Sequence, residues 1–176
     1  MGKEQLIPDI SELVSEELKQ QLIPIFARMN QKVVLKAVLD YENEKSIEMG
    51  DFLKAIAGCS EWIEVAFYEK GEDAGLDEDL YTQHLPVVGL YREGYSGVCF
   101  HGTPGGKEIN SFVAAVCTFG GGGTPLDRRV AKYIASFRKP IHMKVFVSLS
   151  CHHCPHMVAA CQKIAIASEY VSAEMY

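Results

Sequence analysis

The chain has no apolar run approaching the ~18 residues that a membrane-spanning helix needs. Its start, MGKEQLIPDISELVSEELKQQ, lacks the long apolar core of a secretory signal. Basic residues are not in excess: 17 Lys and Arg stand against 23 Asp and Glu, for a formal charge of −6. That balance offers no basic stripe, so nucleic acid and anionic membrane surfaces are excluded as expected partners. No GxGxxG follows a strand, because GTPGGK and GGGGT fall at a helix start and a helix end. The chain therefore has no turn for binding a flavin or nicotinamide dinucleotide of its own. No second CxxC is present to complete a four-ligand zinc site. The remaining composition, 48% hydrophobic and 23% charged, suits a globular protein with ample material for a core. The expected compartment is the cytoplasm, where thiols are free by default and an exposed CxxC is catalytic or metal-binding more often than structural.

What is present is sulfur, unevenly placed. Six cysteines occur, at Cys59, Cys99, Cys117, Cys151, Cys154 and Cys161. Cys117 lies in FVAAVC and Cys161 in MVAACQKIAIA, and Cys59 and Cys99 also have apolar neighbours. These four read as small buried hydrophobes with inert thiols. Cys151 and Cys154 differ, because SLSCHHCPH joins them to His152, His153 and His156 in one short polar stretch.

Ser11 to Met29 suits an amphipathic helix interrupted near Pro24. KVVLKAVL reads as a buried strand, Ser46 to Ile56 as a helix, and WIEVAFY as a second strand. A polar loop is expected over Glu69–Asp79, then an antiparallel hairpin formed by LPVVGLY and GVCFH. Ile109, Phe112, Val113, Val116 and Cys117 make one apolar helical stripe. Gly120 to Gly123 ends that helix as a flexible joint, and Thr124 as N-cap with Pro125 opens another, running to Phe137. A strand, MKVFVSL, and a helix from about His152 to Tyr170 complete the chain.

Helix–strand–helix thus occurs twice, and the first copy continues into the strand, hairpin and helix of a thioredoxin-like sheet. The expected class is α/β, with tandem thioredoxin-like folds of which the second is incomplete, βα only. The expected segments are an N-terminal helical segment at 1–30, a first thioredoxin-like unit without a CxxC at 31–119, a glycine-rich joint at 120–124, and the start of a second unit with the CxxC at 125–176. Tyr176 comes before any counterpart of Pro86. A βα fragment leaves a sheet edge unpaired. Either the chain is an excised or early-ended piece, or another molecule, such as a second copy in a homodimer, supplies the missing strands.

A strand ending at Leu149 and a helix starting near His152 would put Cys151 at a helix N-terminus, where free N–H groups favour a thiolate. Such cysteines have a pKa of about 3.5–7.5 rather than about 8.5. Cys154, one turn on, would resolve the mixed disulfide that Cys151 forms. Copper or zinc binding through the CxxC remains an alternative reading, as does a non-catalytic module that docks a partner.

SLSCHHCP and GTPGGKEINSFVAAVCTFGGG resemble the N-terminal domain of the flavoprotein subunit of bacterial alkyl hydroperoxide reductase, over roughly Glu16 to Ala165. The resemblance implies two tandem thioredoxin-like folds, only the second with a CxxC. It implies a redox pair, Cys151 and Cys154, passing electrons from a flavin-dependent disulfide reductase to a peroxiredoxin-like protein. FAD and NAD(P)H would then belong to a partner or a missing domain. Glu108 matches a glutamate that influences ionisation of the pair; the competing reading is a helix N-terminal carboxylate facing solvent. Pro86 matches the cis-proline of the fold. The missing Pro-bearing strand of the second unit implies a protein-disulfide reductase activity impaired by truncation.

Overall fold

The β-branched run around Val34 forms β1, Val33–Leu39, and the computed structural model, which describes residues 3–176, builds outward from it. Ahead of it lies α1, Glu16–Phe26, capped by Ser15 Oγ, which accepts from the Leu18 N–H at 3.2 Å. This helix is shorter than expected at both ends and carries Pro24 inside its last turn. After β1, α2 (Glu44–Ala57) crosses the sheet and delivers β2 (Ile63–Glu69) parallel to β1. The hairpin follows as β3, Val87–Tyr91, and β4, Tyr95–His101, with β3 antiparallel to the other side of β1. The Leu85–Pro86 peptide ahead of β3 is cis, as the resemblance implies. The apolar stripe then forms α4, Ile109–Phe119.

The second unit contributes α5 (Arg128–Ile134), β5 (Ile141–Val145), α6 (Cys154–Ile166) and β6 (Val171–Met175). β6 lies between β4 and β5, parallel to both, so one six-stranded sheet runs β2-β1-β3-β4-β6-β5. The tandem thioredoxin-like architecture holds, with one correction: the second unit is βαβ, not βα only. The helix expected to reach Tyr170 stops at Ile166, and Val171–Met175 turns to strand. Val171, Ala173 and Met175 enter the core on one side while Ser172 and Glu174 face the other, a period of two that a helix cannot satisfy. No strand pairs with the outer side of β5 among the described residues, and none of its residues is fully buried.

One face of the sheet is covered by α1, α2, α4 and α6, whose side chains share a single core with the strands. Phe112 anchors it, edge-on to Phe52 at 5.4 Å and to Phe100 at 5.1 Å between ring centroids. The opposite face carries a short helix, α3 (Ala74–Asp79), where a polar loop was expected over Glu69–Asp79. Asp73 Oδ1 caps it by accepting from the Leu76 N–H at 3.0 Å, and Leu76 and Leu80 cover Val38, Val87 and Cys99. No helix among the described residues is long and apolar enough to cross a membrane.

The glycine run after α4 is closely packed. Gly120 O accepts from the N–H groups of Asn30 and Gln31, at 3.0 and 3.2 Å, and a Cβ at Gly122 would lie 2.8 Å from the Arg28 backbone. The next helix starts later than expected, at Arg128, because Asp127 rather than Thr124 supplies the cap, accepting from the Arg129 N–H at 2.8 Å.

Candidate functional site

β5 ends at Val145, and an irregular segment brings the chain to Cys154, the first residue of α6. The helix begins two residues later than expected, so Cys151 stands ahead of it and Cys154 opens it. The Cys154 N–H donates to Cys151 Sγ at 3.2 Å. A sulfur atom thus takes the place of a capping oxygen, satisfying a donor that the helix itself cannot. The same placement concentrates partial positive charge on Cys151, which favours its thiolate over its thiol.

Cys151 and Cys154 are joined as a disulfide with a Cα–Cα distance of 5.6 Å, and both are half-buried. Pro155, second in α6, is buried and lacks an N–H at a position that would leave one unpaired. His152, His153 and His156 are exposed, and no group of three metal-ligating side chains forms around the two sulfurs among the described residues. His153 sits at the cap position without a side-chain bond to the helix. Leu149 and Met157, either side of the pair in sequence, are 48% and 60% exposed.

Glu108 ends a 3-10 turn, Gly106–Glu108, that leans on this segment. The Lys107 N–H donates to Leu149 O at 3.2 Å. Gly106 has φ +54°, and a Cβ there would lie 3.0 Å from the same oxygen, so close approach and backbone conformation both select glycine. The solvent-facing reading of Glu108 is corrected: its side chain is fully buried. Ser111 Oγ bonds to Glu108 Oε2 at 2.5 Å and to its carbonyl at 2.8 Å, while Oε1 has no partner among the described residues.

The other four cysteines are set apart. Cys59, Cys99 and Cys117 are buried and Cys161 is half-buried. Burial pushes all four thiols up, Cys99 to about 12, so they hold their protons at neutral pH. Burial also lowers the pKa of His101. Of the six cysteines, Cys151 and Cys154 are the two joined to each other.

A thioredoxin-like sheet with a CxxC disulfide ahead of a helix defines a thiol–disulfide redox module. The chain superposes on a protein disulfide oxidoreductase from Aeropyrum pernix over 92% of its own length and 75% of that chain, with a TM-score of 0.78 at 17% identity, a likeness of fold. It is 37% identical to the alkyl hydroperoxide reductase AhpF of Enterococcus faecalis, covering 93% of this chain and 79% of that one with a TM-score of 0.87. A crystal structure of the N-terminal domain of the same AhpF matches at 38% identity and a TM-score of 0.86, over 92% and 78%. Curated relatives include the AhpF proteins of Staphylococcus epidermidis, 28% identical over 164 residues, and of Pseudomonas putida, 30% over 155. The alignments cover 93% and 88% of this chain but 30% and 28% of those relatives. No family model matches. The chain belongs to the family of the N-terminal domain of the alkyl hydroperoxide reductase AhpF.

Proposed function

We propose that the chain carries electron pairs, in the cytoplasm, from a flavin-dependent disulfide reductase to a peroxiredoxin. The observation that supports this most directly is the half-buried Cys151–Cys154 disulfide with the Cys154 N–H on Cys151 Sγ. In the reduced state, the Cys151 thiolate attacks a disulfide of the acceptor, forming a mixed disulfide and releasing one acceptor thiolate. Cys154 then gives up its proton and attacks Cys151 Sγ, restoring the disulfide and releasing the second thiolate. Two electrons leave this chain in each cycle, together with the one proton that Cys154 gives up, and a donor dithiol returns them. FAD and NAD(P)H belong to that donor, whether a separate partner or a further domain.

Exposed Leu149 and Met157 offer apolar surface beside the pair for a protein substrate. Glu108 acts as a positioning residue: a buried carboxylate in the turn against Leu149 influences the ionisation of the pair. The unpaired side of β5 is where a strand from a second copy adds in a homodimer.

Reduced protein mixed with an oxidised peroxiredoxin and a flavin-dependent reductase tests the reading. Turnover depends on both Cys151 and Cys154, and Glu108→Gln shifts the pH profile of exchange while leaving the circular dichroism unchanged. Electron transfer that survives Cys151→Ser would replace this reading with a non-catalytic docking module.

A further inference from the structure

The face of the sheet away from α6 holds a second cluster that the dithiol chemistry does not use. Cys99 and His101 are two apart on β4 and project to the same face, and Glu174 on β6 is the register partner of Cys99. Their relative exposures are 0%, 7% and 1%. We propose that Cys99, His101 and Glu174 form a binding site for a divalent cation of the zinc type, clasping the first unit to the second.

The distances suit a shared ion. Cys99 Sγ lies 3.7 Å from His101 Nε2, and His101 Nε2 lies 3.4 Å from Glu174 Oε2. All three ligand atoms lie within 4.8 Å of one another. Zinc held about 2.3 Å from sulfur and about 2.0–2.1 Å from nitrogen and oxygen, at tetrahedral angles, separates sulfur from nitrogen by about 3.5 Å and nitrogen from oxygen by about 3.3 Å.

The protonation pattern points the same way. His101 Nδ1 faces the His84 carbonyl at 3.0 Å, and a carbonyl oxygen can only accept, so Nδ1 carries the proton. The Nε2 lone pair that this tautomer leaves free is then turned to Cys99 and to the Glu174 carboxylate, in position to ligate an ion. A backbone acceptor behind the non-ligating nitrogen is also how metal-bound histidines are oriented. Glu174 Oε2 accepts from the Tyr176 hydroxyl at 2.6 Å, while Glu174 Oε1 is buried without a partner among the described residues. Lys144, across from Glu174 on β5, places its ammonium 5.5 Å from the ring centroids of both Tyr81 and Tyr176. The Tyr95 hydroxyl also hydrogen-bonds with Cys99.

Charge balances in the filled site. Binding releases the Cys99 proton to solvent, and thiolate, carboxylate and neutral imidazole together cancel a charge of +2, so no net charge is buried. A water or the Tyr176 hydroxyl completes four-coordination. β4 and β6 are paired through three register positions, Val98 with Ala173, Cys99 with Glu174 and Phe100 with Met175, and the ion reinforces the middle one.

The test uses chelator-stripped protein with the Cys151–Cys154 disulfide intact, which keeps those sulfurs out of play, titrated with Co²⁺ as a zinc surrogate. The expected result is saturable binding of one ion per chain with thiolate-to-cobalt charge transfer, displacement by Zn²⁺, and a higher unfolding temperature with Zn²⁺. Cys99→Ser removes the charge-transfer band, Glu174→Gln weakens binding about tenfold or more, and Cys161→Ser changes neither. No thiolate band at millimolar Co²⁺, or a band that survives Cys99→Ser, would leave a hydrogen-bonded triad only and overturn the proposal. If neither site variant folds, the unsubstituted protein decides alone: absence of both the cobalt spectrum and the zinc-dependent temperature shift overturns it.

Discussion

The joint from the first strand of a unit to the helix after it is made once in each unit, and the two joints differ in the atom that closes them. Between β1 and α2, Asn43 Oδ1 accepts from the Lys45 N–H at 3.0 Å. Before α6, His153 at the matching place makes no such bond, and Cys151 Sγ takes the Cys154 N–H instead. Counted from the helix start, Tyr41 stands where the second unit has Cys151, and Glu44 where it has Cys154. The surroundings differ in the same sense. β1 is paired on both sides and buries Val33, Leu35, Ala37, Val38 and Leu39, whereas β5 is paired on one side and buries nothing fully. An ordinary cap with a buried strand serves stability. A sulfur cap beside an exposed strand leaves a half-buried disulfide where another protein can reach it.

The comparison breaks most visibly in activity. Cys151→Ser abolishes exchange with a protein disulfide, measured by stopped-flow fluorescence, while Cys117→Ser leaves it unchanged. Stability should divide next. Phe112→Ala, at the centre of the phenylalanine cluster, costs about 3–5 kcal/mol in urea unfolding. Val145→Ala on half-buried β5 costs about 1 kcal/mol. Native-state hydrogen exchange should follow the same contrast, with β5 amides exchanging about tenfold or more faster than those of β1.

Thiol labelling sharpens the contrast. After reduction, alkylation of Cys151 should have its midpoint below the ordinary thiol value of about 8.5. Burial raises the pKa of Cys59 and Cys117, so each keeps its proton to higher pH and stays unlabelled where Cys151 has already reacted. Mass spectrometry of the labelled peptides across pH checks the order. The smallest effect concerns Gln162, which stands where α2 has Phe52, is 1% exposed and has neither amide atom paired. Gln162→Leu should stabilise the fold by about 1 kcal/mol, read from the denaturation midpoint.

The first unit was legible because its signals are local and strong. The β-branched run of β1 and the apolar stripe of α4 each name their structure without help from elsewhere, whereas the glycines after α4 mark its end but are packed against Arg28 and Asn30 rather than forming a flexible joint. The placement of Cys151 and Cys154 between strand and helix was legible for the same reason. α3 was hidden because only Leu76 and Leu80 interrupt an acidic stretch, too few to show a period. β6 was hidden because five residues following an apolar helix look like more helix until β4 and β5 are seen to flank them. The burial of Glu108 and the meeting of Cys99, His101 and Glu174 depend on contacts between distant parts of the chain. Cys99 and His101 alone look like an inert thiol and a stray imidazole.

The bond from Lys107 to Leu149 has a consequence for how far the sulfurs can travel. With one continuous sheet beneath and this bond above, the segment carrying Cys151 is moored to the hairpin half of the molecule. On the proposed transfer route, the pair has no arm of its own on which to swing from a donor to an acceptor. Any journey between the two must be made by the entire body turning, or by the partners coming in turn to a stationary dock.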